Sequence, residues 1–359
     1  MNEALDFLAL LSIRKLTESK LYLLLEKFRT PTSIRQASRE ALVPIVGQEL
    51  AQKISLLETD DRVSKQFALL QKLNISVLPY YSHDYPQWLK CINHFPPVLF
   101  VRGTLIPEDE ISIAIIGTRG ATVYGKSIAE NFAGEFAQAG VTVVSGMARG
   151  IDTAAHRGVF QKNGRTIAVL GSGIDICYPP ENKQLMETIT QHGAIITEFT
   201  VGTPPLAQNF PKRNRIISGL ARAIVAIEAK EKSGVMNTVR WALEQNKDVF
   251  AIPGNIYAKT SHGTNRLIKE GAIPVTSAGE ILELLGIQRT RVEREARDLV
   301  LNDEEQAIWN HLSYEPTYVD TLAEKLSQPT GPILNALLNL ELRGLVKQLP
   351  GMMFVKIFE

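Results

Sequence analysis

The chain has 359 residues, a formal net charge of +1, 45% hydrophobic and 21% charged residues, and two cysteines. These values fit globular domains with cores of their own and exclude a disordered chain; near-neutrality excludes a broadly basic surface, so any nucleic-acid contact must come from a local patch of Lys and Arg. Cys91 and Cys177 form no C-x-x-C pair, which suits a reducing compartment without a thiolate zinc site, and no run of about 18 apolar residues marks a membrane span, so a soluble, cytoplasmic protein is expected.

In chain order, residues 1 to about 75 repeat apolar residues at three- and four-residue spacing, as in LDFLALLSI, KLYLLLEKF and ELAQKISLLETDDRVSKQFALLQKL, and predict a small helical domain. A proline-broken segment follows, SVLPYYSHDYPQWLKCINHFPPVLFVRG, ending in a strand-like VLFVR. From Ile111 the texture becomes strand, glycine, helix: ISIAIIG, VTVVSG, TIAVLG, AIITE, AIVAIEA and DVFAIPG are apolar runs separated by amphipathic segments. Runs buried on both faces and spaced by helices mean a mostly parallel α/β sheet, Rossmann-like, over 76–286. Residues 287–298 read as a solvated linker, with Arg289, Arg291, Arg294 and Arg297 diluted by Glu293 and Glu295. Over 299–359, helix, helix, longer helix and a strand pair turning at Gly351 give the order of a winged-helix domain.

Gly120-Ala-Thr-Val-Tyr-Gly125-Lys126-Ser127 satisfies G-x-x-x-x-G-K-[ST], the phosphate loop of ATPases. Its placement argues against that chemistry. The strand stops at Gly117, three residues before the cradle would begin, and Val123 and Tyr124 fill positions where backbone must approach an anion. Glu228 mimics a metal-holding carboxylate at a strand end but lacks that partner. Ligands of such sheets bind beyond the carboxyl ends of the strands. There Gly117-Thr-Arg-Gly120, Ser145-Gly-Met-Ala-Arg-Gly-Ile-Asp152, Gly171-Ser-Gly173 and Pro253-Gly254 offer backbone N–H groups, hydroxyls and two arginines, a setting for anions. Gln208-Asn-Phe-Pro-Lys-Arg-Asn-Arg215 places Lys212, Arg213 and Arg215 near a helix start, against the helix dipole, which points to a polyanion. Phe210 beside them is either a stacking platform for a base or a core anchor. Asp152 and His156, four apart, have acid/base spacing, against the alternatives of an N-cap and a structural imidazole. No metal-ligand spacing, no G-x-S-x-G and no G-x-G-x-x-G after the first strand is present, so neither metal, cofactor nor catalytic residue is expected.

Tyr85-Pro86, IGTRGATVYG, SGMARGIDTAAH, TIAVLGSGIDICYPPEN, FPKRNRIISGL, EAKEKSGVMNTVRWALE and VFAIPGN, in this order, resemble the DNA-processing protein A (Smf) family across the sheet domain. The resemblance implies a Rossmann-like fold that binds single-stranded DNA, hands it to a RecA-type recombinase during natural transformation, works as a homodimer and performs no catalytic step. It implies a phosphate-binding pocket of Gly117, Thr118 and Arg119, with Ser145, Gly146, Ala148, Arg149 and Gly150 of the next strand-end turn. Gly173, Phe210, Lys212, Arg213, Asn214 and Arg215 complete that set. Thr118 stands where the family tends to have Ser, Ser233-Gly-Val-Met236 replaces its Ser-Gly-Ser-Leu, Thr200 replaces a proline, and IVGQELAQKI keeps one of the helix-hairpin-helix glycines expected of the N-terminal domain. The winged helix carries more acidic than basic residues and suits protein contacts better than a DNA groove. The rival reading is a nucleotide-cleaving phosphoribohydrolase on the same architecture, although Lys232-Ser-Gly-Val-Met-Asn-Thr238 lacks the glycines of its Pro-Gly-Gly-x-Gly-Thr loop.

Overall fold

A computed structural model describes residues 3–57, 60–287 and 301–356. The charged segment from Arg289 to Arg297 lies outside the described residues. Residues Met1–Thr290 and Arg291–Glu359 form two compact units.

The first unit opens with helices α1 (Glu3–Ser12), α2 (Glu18–Phe28), α3 (Pro31–Gln36), α4 (Arg39–Val46), α5 (Gln48–Ser55) and α6 (Asp61–Lys72). Side-chain caps from Thr17, Thr30, Ser38 and Asp60 accept the first free N–H groups of α2, α3, α4 and α6. The long run 49–73 is two helices rather than one, because Asp60 starts a new helix. The helices bury a core of their own around Leu21, Leu24, Leu25 and Leu42. Leu8 of α1 and Leu70 of α6 also share a core with Phe100, Ala168 and Ile195 of the sheet.

The nine sheet strands are β1 (Ile75–Pro79), β2 (Val98–Gly103), β3 (Ser112–Ile116), β4 (Thr142–Ser145), β5 (Thr166–Val169), β6 (Ala194–Thr197), β7 (Ala223–Ala226), β8 (Asp248–Ala251) and β9 (Ile273–Pro274). Their order is β1-β2-β6-β5-β4-β3-β7-β8-β9, with β2 antiparallel to both of its neighbours, β1 and β6, and every other pair parallel. All six apolar runs read as strands are strands. β1 is an addition, an edge strand that Pro79 can end without breaking a ladder on both sides. Alternate residues of each strand face opposite sides. Ala114, Ile116 and Val144 pack with Ile216, Ile217 and Val239 on one face. Ile113, Ile115 and Val143 pack with Phe136, Ile151 and Val159 on the other.

The intervening helices are α7 (Gln87–Lys90), α8 (Val123–Gln138), α9 (Ile151–Phe160), α10 (Lys183–His192), α11 (Asn209–Leu220), α12 (Gly234–Glu244), α13 (His262–Lys269) and α14 (Ala278–Leu284). Chain order reverses between β3 and β7, which are hydrogen-bonded neighbours from Ile113↔Ala223 to Ile116↔Ala226. Such a reversal leaves a crevice beyond the carboxyl ends of the two strands. In the second unit α15 (Asp303–His311), α16 (Val319–Leu326) and α17 (Thr330–Leu342) precede β11 (Val346–Leu349) and β12 (Met353–Lys356), with the short β10 (Thr317–Tyr318) on the far side of β12. Gly351, at φ 86°, turns β11 into β12, and Ile333, Leu337 and Leu340 of α17 fill the core. This is a winged helix.

Candidate nucleic-acid interface

A cleft of about 430 Å³ opens at the β3/β7 reversal, walled by Gly117, Thr118 and Arg119 after β3, Ala148 and Asp152 after β4, one face of α11 and the first turns of α12. The turn after β3 is stitched to both neighbours: Ile151 N–H, after β4, donates to Thr118 O at 3.3 Å, and Thr118 N–H donates to Glu228 O, after β7, at 2.8 Å. Gly150 has φ 79°, and a Cβ there would stand 2.3 Å from Thr118 O, so only glycine fits the crossing.

The P-loop look-alike has a packing explanation. Thr122 caps α8, and its N–H and hydroxyl both donate to the buried Glu228 carboxylate, at 2.9 and 2.5 Å. A Cβ at Gly125 would lie 2.4 Å from that carboxyl carbon. The second glycine therefore makes room for Glu228, not for a phosphate. We expect Glu228→Ala to cost about 1–2 kcal/mol by stranding both Thr122 donors, read as a lower urea midpoint at unchanged m-value.

Arg213 is the pillar of the cleft. Its side chain is buried, Nη1 donates to Gly146 O at 2.9 Å and to Val169 O, and Nε donates to Asn214 Oδ1 at 3.3 Å. A Cβ at Gly146 would meet Arg213 Nη2 at 2.6 Å and Asp152 Oδ2 at 2.7 Å, so the glycine permits both charges to approach the turn. Burial pulls the Arg213 guanidinium down to about 10, against the opposing pull of Asp152; it is a cation at neutral pH. Burial likewise pushes the Asp152 carboxyl up to about 6, while Arg213 and the N–H of Ala148 favour its ionised form.

Asp152 and His156 do not form an acid/base pair. His156 Nδ1 lies 2.7 Å from Thr166 Oγ1, whose own proton goes to Val143 O, so Nδ1 is the protonated nitrogen. Burial drives the His156 imidazole down to about 3, with Arg213 acting in the same direction, and it is neutral. Among the described residues no group of His, Cys, Asp and Glu is arranged to hold a metal ion.

Phe210 is part of the packing and also part of the cleft wall. Its half-buried ring packs against Tyr178 at 5.6 Å between centroids, and a Cβ at Gly171 would come within 2.9 Å of it. It also faces the cleft, with the Arg119 guanidinium 5.0 Å and the Arg213 guanidinium 6.0 Å from its centroid. Arg119 is exposed and makes no ion pair among the described residues.

Sequence reasoning passed over the opposite wall as a mere departure from the family pattern. Ser233 precedes α12 without a side-chain cap bond, and Ser233 Oγ and Asn237 Oδ1 are buried without a partner among the described residues. Met236 N–H donates to Ser233 O at 3.2 Å, while the N–H groups of Gly234 and Val235, which line the cleft, have no acceptor among the described residues, a natural seat for an anion. The signal was available: a helix following β7 must begin at the crevice beside β3.

Several expected residues stand elsewhere. The Ser145 hydroxyl is buried and donates to Ile115 O at 2.7 Å. Arg149 is exposed but paired with Glu181 through Nε at 2.5 Å and Nη2 at 3.0 Å. Gly173 makes room for Asp175 and the Thr200 carbonyl in a neighbouring loop. Lys212 and Arg215 leave α11 on another side and meet Glu18 and Glu198. The helical period explains the division: Phe210, Arg213, Asn214 and Ile217 repeat at i, i+3, i+4 and i+7 and line the cleft, whereas 212 and 215 share a different stripe.

The family described as DNA recombination-mediator protein A matches residues 76–286, and its winged-helix domain matches residues 289–352. Protein Smf of Escherichia coli is 38% identical over 299 residues, covering 80% of this chain and 79% of its own length. DNA processing protein DprA of Bacillus subtilis is 38% identical over 226 residues, 62% of this chain and 77% of its own. Among solved structures, DNA processing protein A from Streptococcus pneumoniae superposes with a TM-score of 0.70 at 33% identity, covering 79% of this chain and 98% of that one. DNA processing protein A from Helicobacter pylori, solved for its single-stranded DNA binding mode, superposes with a TM-score of 0.54 at 29% identity over 59% of this chain and 96% of its own. With both of its units matched in order, the chain belongs to the DNA recombination-mediator protein A family, DprA.

Proposed function

We propose that the cleft grips the sugar-phosphate chain of single-stranded DNA without reading its sequence. The observation that carries this is an unpaired cation, Arg119, sharing one cleft with the Phe210 ring and the uncapped start of α12. Phosphates sit on Arg119 and the α12 N–H groups, and a base stacks on Phe210. The single-stranded DNA binding mode of the Helicobacter pylori relative supports the reading. In this proposal the bound strand is passed to a RecA-type recombinase in natural transformation, and the protein carries out no chemistry on it.

A homodimer fits the open side of β9, where the sheet ends and Leu243 and Ile273 are exposed beside a groove of about 500 Å³. The winged helix is assigned to protein contacts: its α17 exposes Leu338 and Leu342 rather than Lys or Arg.

The test is a titration of labelled oligothymidylate against duplex of equal length at two salt concentrations. Single strand is expected to bind tighter. Its log K should fall with log salt at a slope of about −1.4 to −2.1, as two or three phosphate contacts require. Equal affinity for duplex, or no salt dependence, overturns the proposal.

A further inference from the structure

Lys212 and Arg215 belong to a closed quartet with Glu18 and Glu198. The Arg215 fork grips Glu198 at 2.6 and 2.8 Å, with both side chains 3% exposed, and Nε donates to His94 O at 2.8 Å. Arg215 is thereby fixed. Lys212 is different: its side chain is 43% exposed, it meets Glu198 at 3.2 Å, and it is paired with Glu18 of α2, which is 35% exposed. Glu18 also reaches Arg215 Nη2 at 3.3 Å. Two cations and two carboxylates cancel. Because the Arg215 fork already satisfies Glu198, the counter-charge of Lys212 is Glu18, supplied by the N-terminal helices rather than by the sheet.

Lys212 sits between Pro211 and Arg213, both of which line the cleft. An ammonium on a flexible four-carbon stem can turn from one acceptor to another, whereas a buried bidentate guanidinium cannot. We propose that Glu18 holds Lys212 away from nucleic acid, so that the N-terminal helices set the affinity of the cleft. A phosphate of a bound strand and the Glu18 carboxylate compete for the same ammonium. Burial and the adjacent Glu198 raise the Glu18 carboxyl above its usual range, with Lys212 opposing. A half-exposed pair of this kind contributes little on its own, so a polyanion can displace it. The inference rests on the single-strand reading of the cleft.

The experiment is an anisotropy titration of labelled oligothymidylate with the full chain, comparing wild type, Glu18→Gln, Lys212→Met, the double variant and Arg119→Ala. Glu18→Gln is expected to bind roughly fivefold tighter at low salt, with a slope steeper by about 0.7 for the one phosphate gained. The gain should vanish in Glu18→Gln/Lys212→Met. Thermal melting checks that α2 persists. Should Glu18→Gln unfold it, Glu18→Asp, which keeps the negative charge at the helix start and shortens the reach, gives a smaller gain of the same sign. Unchanged affinity in the folded Glu18 variant, or a gain that survives loss of Lys212, overturns the inference while Arg119→Ala still weakens binding. If Arg119→Ala binds like wild type, the cleft reading fails and this inference fails with it.

Discussion

Arg119→Ala is expected to weaken oligothymidylate binding roughly tenfold or more while leaving the melting temperature unchanged. The affinity loss follows from the chemistry: a guanidinium on a phosphate is a charge-assisted contact worth about 1.5–3 kcal/mol. The unchanged stability follows from position. Arg119 is exposed, makes no ion pair among the described residues, and touches the body of the protein through the Phe210 ring 5.0 Å away. Removing it strands no buried partner. The salt slope should fall by about 0.7 with the lost phosphate. Arg119→Lys should recover part of the affinity and not all of it, because an ammonium keeps the charge but loses the planar stacking on Phe210. Fluorescence titrations at two salt concentrations measure both effects. Wild-type affinity in the alanine variant removes Arg119 from the interface.

The sheet was legible because each strand is an apolar run buried on both faces and closed by a glycine or small polar turn, a pattern that local composition alone produces. The position of the cleft was legible too, since the order of strands and helices places ligand loops at the carboxyl ends. What local reading could not supply is which cation meets which acid. Lys212, Arg213 and Arg215 look equivalent in FPKRNR, yet Lys212 and Arg215 meet Glu18 and Glu198, residues up to 197 positions away, whereas Arg213 donates to the carbonyls of Gly146 and Val169. The 3.6-residue period separates them once α11 is written as a helix, with Phe210, Arg213 and Asn214 on the cleft side. The G-x-x-x-x-G-K-S match misleads for the same reason: Gly125 answers to Glu228, which lies a hundred residues later on β7's end.

Arg213→Met should destabilise the protein by about 3–5 kcal/mol, since it removes a charged donor, at about 1.5–3 kcal/mol for each bond, from two buried carbonyls. Methionine fills much of the volume but donates nothing, so Gly146 O and Val169 O lose their donor and Asp152 loses its cation. The cost should depend on pH in a definite sense. Asp152 already has a folded-state pKa of about 6, raised from 3.8 by burial, and without Arg213 it rises further. A carboxyl whose folded pKa lies above its unfolded one adds stability that is full below the unfolded value and lost as pH climbs through the folded one. Urea denaturation should therefore show a larger deficit for the variant at pH 8 than at pH 5. Asp152→Asn in the same background should remove the pH-dependent part while leaving the two carbonyls unsatisfied. An equal deficit at both pH values would mean that Asp152 is not charged against Arg213, and the turn at Gly146 would then be held by hydrogen bonds alone. Single-strand binding should fall in Arg213→Met even where it stays folded, because the α11 face and the Gly146 turn are the two sides that this one side chain keeps at their spacing.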